Sequence, residues 1–91
     1  MPHPGYRKYE PLARYLGALA GDQVTLTLTE IEQITGAALP RGAWTHTWWV
    51  NTASSRQARG WLGVGWEVSA RSLRTTPAAI TFARRLSDSA V

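Results

Sequence analysis

The residues in this sequence best suited to chemistry are arginines, and they are unevenly placed. Nine of the ten basic residues are arginine, and the formal net charge is +4. Residues 1–45 balance to zero, whereas residues 46–91 carry six arginines against Glu67 and Asp88, so the whole net charge lies in the second half. A guanidinium is a planar fork that grips phosphate at two points and reaches guanine O6 and N7 in the major groove. Arg56, Gln57 and Arg59 fall at the start of a predicted helix, where a cation opposes the helix dipole at a cost of about a few tenths of a kcal/mol. Ser54 and Ser55, just before them, offer hydroxyls and backbone N–H groups to phosphate. Arg71 and Arg74 fall beside a predicted hairpin turn, and Arg41 is a further phosphate contact. Taken singly, each arginine is accounted for by solubility. As a cluster at a helix start and a hairpin turn, they point to duplex DNA.

Other chemistries find little support. His3 and His46 are the only histidines, and there is no cysteine, so thiolate zinc sites, disulfides and cysteine nucleophiles are excluded. No zincin, nucleophile-elbow or phosphate-loop pattern occurs. The chain is therefore read as a binding protein and not an enzyme, without metal or cofactor. Tryptophan can stack bases, but Trp61 and Trp66 fall on predicted inward faces, while Trp44 and one of Trp48 and Trp49 are evenly balanced between core and surface. Neighbouring strand residues face opposite ways. This makes Trp49, with His46 and Asn51, a candidate contact patch, in which Asn51 either pairs with adenine or serves as a turn residue.

The elements that must position these residues follow from spacing. With 91 residues the chain is one domain, and 44% hydrophobic residues with five Trp argue against disorder. No apolar run approaches the roughly 20 residues of a membrane span, and the expectation is a cytoplasmic protein. Residues 1–9 read as a flexible arm, 10–86 as a single domain and 87–91 as a flexible tail. A first helix starts near Pro11, carries Leu12, Tyr15, Leu16 and Leu19 on one face, and closes at Gly21; its apolar stripe is the expected surface of a possible homodimer. Val24, Leu26 and Leu28 alternate with threonines as a strand. Thr29 and Glu32 match a capping box for a second helix over residues 30–35, ended by Gly36. Residues 44–51 read as a strand. Ser54 and Gln57 match the second form of the capping box and open a third helix over residues 55–63. A hairpin follows, with Val68, Ile80 and Phe82 inward, while Arg84 and Arg85 beyond it read as merely solvated. The expected core is Leu12, Leu16, Leu19, Val24, Leu26, Ile31, Ile34, Trp61, Val68, Ile80 and Phe82.

Two resemblances follow from this order. Helix, strand, helix, helix and hairpin resemble a winged helix-turn-helix, although residues 37–54 form a longer connection than such motifs use. The residues Glu30-Ile31-Glu32-Gln33-Ile34-Thr35-Gly36, Leu39-Pro40, Trp48-Trp49-Val50-Asn51, Gln57-Ala58, Trp61 and Gly65-Trp66-Glu67-Val68 are similar to a bacterial family of small domains of unknown function. Its pattern is E-I-E-x-I-x-G, L-P, W-W-x-N, Q-A-x-x-W, G-W-x-V, usually with His shortly before Q-A, where this chain has Ser55-Arg56. That resemblance implies a compact α+β domain and no particular activity.

The sequence thus leads to an α+β, winged-helix-like fold with three helices, a small antiparallel sheet and a C-terminal hairpin. The expected function is recognition of duplex DNA by a transcriptional regulator: Arg56, Gln57 and Arg59 read bases, while Arg41, Ser54, Ser55, Arg71 and Arg74 hold phosphate. The alternative is an interaction module or antitoxin-like protein that meets its partner through a Trp-rich patch.

Overall fold

The computed structural model describes residues 9–52 and 54–85. The expected arm, apart from Tyr9, and the expected tail lie outside them. The described chain runs α1 (Glu10–Gly17), β1 (Gln23–Thr27), α2 (Leu28–Thr35), two 3-10 turns (Arg41–Trp44 and His46–Trp49), α3 (Arg56–Leu62), β2 (Trp66–Ser72) and β3 (Ala79–Arg84). The strands form one antiparallel sheet in the order β1-β3-β2. The result is an α+β domain in which the hairpin β2–β3 closes against the small first strand.

Pro11 sits in the first turn of α1, where a missing N–H costs nothing. The helix ends earlier than expected, at an Ala18 cap, and Gly21 lies in the turn leading to β1. Leu12 and Leu16 are buried and Leu19 packs beside them. Leu12 and Leu16 of the expected stripe are buried where α1 packs on both other helices, while Tyr15 stays exposed.

The T-x-x-E pattern occurs in two overlapping registers, and the structure uses the earlier one. Thr27 Oγ1 accepts the N–H of Glu30 at 3.0 Å, and Glu30 Oε1 accepts the N–H of Thr27 at 2.8 Å. Leu28, expected in the strand, is instead the first residue of α2 and is buried, and its N–H donates to Ala78. Glu32 is thereby left to accept the N–H of Leu39 at 2.8 Å, which folds the chain back after the helix. Gly36, at φ 77°, closes α2 in a left-handed conformation that a side chain would strain.

The strand expected over residues 44–51 is not formed; two 3-10 turns occupy most of it. Packing overrides the alternation of aromatic and β-branched types. Trp49 is fully buried, donates its indole N–H to the Ala43 carbonyl at 2.6 Å, and stacks on Trp61 with ring centroids 5.6 Å apart. Trp48 meets Trp49 edge-on at 4.6 Å and Tyr9 at 5.9 Å. A strand would send Trp48 and Trp49 to opposite faces; the turn lets the two rings meet each other.

α3 is capped by Ser55, whose Oγ accepts the N–H of Ala58 at 3.1 Å, one residue later than the expected Ser54. Gly60 lets this helix approach Tyr9 closely, since a Cβ there would stand 3.1 Å from the Tyr9 Cβ and 3.2 Å from its carbonyl oxygen. Tyr9 thus belongs to the core and not to an arm, and burial pushes its phenol pKa up. Eight of the eleven expected core residues are buried; Leu19, Val24 and Ile34 pack partly buried against them. Tyr9, Leu28, Leu39, Ala43, Trp49, Ala58 and Trp66 complete the core.

Candidate nucleic-acid interface

The eleven sequence candidates divide by what already holds them. Asn51 is held on three sides: its Oδ1 accepts the N–H of Val68 at 2.8 Å and the indole N–H of Trp61 at 2.9 Å, and its Nδ2 donates to the Val68 carbonyl at 2.9 Å. Gln57 donates to the Trp48 carbonyl at 2.9 Å. Arg71 donates through Nε and Nη2 to the Trp49 carbonyl, at 3.0 and 2.8 Å. Trp49 lies fully buried and Ser55 caps α3. These five candidates position the site. Each polar group among them satisfies a backbone group that would otherwise be left unpaired as the irregular connection packs against α3 and β2.

The remaining candidates are exposed: Arg41, His46, Ser54, Arg56, Arg59 and Arg74. The ties just described fasten the segments that carry Arg56 and Arg74. The carbonyls of Trp48 and Trp49, adjacent in the chain, bind Gln57 of α3 and Arg71 of β2. The start of α3 and the turn end of the hairpin are therefore fastened to one dipeptide. Arg56 precedes Gln57, and Arg74 lies just beyond the end of β2. The turn after it is fixed by Thr75 Oγ1, which bonds the Ser72 and Pro77 carbonyls at 3.0 and 3.1 Å.

Charge is segregated as well. Ion pairs among the described residues join Arg14 to Glu10, Arg84 to Asp22 and Arg85 to Glu67. Glu30 and Glu32 are occupied by the backbone at the ends of α2. Arg41, Arg56 and Arg74 pair with no carboxylate among the described residues. Arg84, read from sequence as solvated, is structural: its Nη2 donates to the Leu19 and Gly21 carbonyls at 2.8 and 3.0 Å, and its guanidinium lies 4.7 Å from the centroid of Trp66.

A pocket of about 200 Å³ opens between the 3-10 turns and the hairpin turn, lined by Trp44, Thr45, His46, Leu73 and Arg74. Thr45 and Leu73 carried no signal in the sequence, because the pocket forms between segments far apart in the chain. A second groove, of about 250 Å³, lies beside Tyr15, Leu26, Glu30, Gln33 and Ile34. Among the described residues no three His, Asp or Glu side chains are grouped to hold a metal ion. None of the described helices is long and apolar enough to cross a membrane.

Hydrogen bonds thus join the W-W-x-N segment to the Q-A-x-x-W segment through Gln57–Trp48 and Asn51–Trp61, and to the G-W-x-V segment through Asn51–Val68. The family described as a domain of unknown function (DUF7662) matches residues 9–85. The chain belongs to that family. No curated protein and no solved structure matches it. The matched span begins at Tyr9, the first residue of the core, and covers every helix and strand of this DUF7662 domain.

Proposed function

We propose that this DUF7662 domain binds duplex DNA and acts in the cytoplasm as a transcriptional regulator, with the start of α3 toward the major groove and the β2–β3 turn against the backbone. The observation that carries this reading is the pair of arginines, Arg56 and Arg74, without carboxylate partners among the described residues and held by elements fastened to the same Trp48-Trp49 backbone. A surface that leaves cations unpaired while acids are paired elsewhere attracts a polyanion, and the phosphate backbone is the strongest such partner. Arg41 and Ser54, also exposed, are further candidates for phosphate contact. The element order and the closure of the hairpin on β1 agree with a winged helix in the general sense, while the connection over residues 36–55 replaces its tight turn.

A protein-binding module using a Trp-rich patch has less support. Trp49, Trp61 and Trp66 are fully buried and Trp48 is half-buried, so of the five only Trp44 is well exposed. Selection of a random duplex library with the full chain tests the DNA reading. An enriched motif is the expected result; recovery of no sequence above background in low salt, together with no retention of any duplex, overturns it.

A further inference from the structure

We propose that the pocket beside the hairpin turn receives a single unpaired nucleobase, stacked on Trp44, with Arg74 holding its phosphate. The inference rests on the DNA-binding reading and specifies what one part of that surface accepts.

Trp44 differs from its four counterparts. It is 49% exposed, whereas Trp49, Trp61 and Trp66 are at 0%. Its mount is nonetheless fixed on both sides. Ala43 before it is fully buried and its carbonyl accepts the Trp49 indole, and Thr45 after it bonds the Gly42 carbonyl through its own N–H at 2.9 Å and its Oγ1 at 2.6 Å. An open indole on a rigid backbone is a stacking platform: every base has a π-face, and a stacked base gains without any demand on its sequence. Leu73 also lines the pocket, whose lining holds Arg74 and His46 but no carboxylate. A planar apolar face beside a guanidinium suits a planar ligand that carries a negative charge, which describes a nucleotide.

Size narrows the choice. At about 200 Å³ the pocket falls below the roughly 300 Å³ at which sites for drug-sized ligands begin. It therefore suits one base and not a stacked pair. A base inside an intact duplex has both faces covered by its neighbours, so only one that has left the stack offers a face to Trp44. The expected ligand is a duplex bearing a bulged or otherwise unpaired nucleotide.

The test titrates the full chain, by fluorescence anisotropy in low salt, into a fully paired duplex and into the same duplex carrying one extra unpaired adenosine. The unpaired base should tighten binding roughly five- to 150-fold, the ratio that about 1–3 kcal/mol of base–aromatic stacking gives. Trp44→Ala should abolish that preference while leaving affinity for the paired duplex within about two-fold, and Trp44→Phe should keep part of it. Because Trp44 lies outside the core, both variants should unfold at the wild-type urea midpoint, which confirms that they are folded. Equal binding of the two probes by the wild type, or a preference that survives Trp44→Ala, overturns the pocket assignment and leaves the duplex reading standing. Failure to bind either probe overturns both.

Discussion

Asn51 pairs with Val68 as a neighbouring strand would. Its amide group donates to the Val68 carbonyl and accepts the Val68 N–H, and the same Oδ1 takes the indole N–H of Trp61. One side chain thus covers part of the outer edge of β2, next to the bulge between Val68 and Ala70, and orients a buried tryptophan of α3. Edge strands need such covers because their unpaired backbone groups otherwise invite a foreign strand.

Asn51→Ala should therefore destabilise the domain by about 1–3 kcal/mol, the cost of leaving donors such as the Trp61 indole without a partner. Asn51→Asp keeps the two accepted bonds, loses the donated one, and should fall between. Urea midpoints at unchanged m-value measure this. A variant of wild-type stability with impaired DNA binding would instead make Asn51 a contact residue.

The two overlapping capping boxes make a direct comparison possible. Thr27→Ala should cost about 0.5–2 kcal/mol because it removes the cap of α2. Thr29→Ala, exposed within the first turn, should stay within about 0.5 kcal/mol of wild type. Thermal unfolding of the pair reads the difference, and a larger loss at Thr29 would mean that the helix starts two residues later.

Arg84 and Arg85 should separate in the same way. Arg84 bonds two carbonyls and covers the Trp66 ring, so Arg84→Ala should lose about 1–2 kcal/mol of stability. Arg85→Ala removes only an exposed pair with Glu67, 3.7 Å apart, and should be nearly silent. Neither substitution should change DNA affinity, which gives two charge-neutralised controls for any electrostatic measurement.

Much of this fold is legible in the residues. The i, i+4 spacing of Leu12 and Leu16, the alternation of Val24 and Leu26, and the glycine after Thr35 each report a local preference that the tertiary structure respects, although Tyr15, on the same expected stripe, stays exposed. Residues 37–54 are not legible, because their conformation is decided by partners distant in sequence: Trp61 beneath Trp49, Val68 beside Asn51, Arg71 on the Trp49 carbonyl. Aromatic and β-branched residues in a row imitate a strand when those partners are not in view. The site shares that limit. Arginine content and position identify the exposed residues Arg56 and Arg74, whereas nothing local distinguishes them from Arg71, which has the same side chain and a structural role. The chain's many hydrogen-bonding side chains look alike until the backbone groups they must satisfy are known.

Salt dependence reads out whether the surface that carries Arg56 and Arg74 binds duplex DNA. For wild type, log K should fall linearly with log salt concentration, with a slope of about −0.9 per phosphate neutralised. Arg56→Ala and Arg74→Ala should each weaken binding and make the slope shallower by about one, while Arg84→Ala leaves it unchanged. Binding that is absent at low salt, or that is indifferent to salt and to both Arg56 and Arg74, would exclude duplex DNA as the partner of this surface.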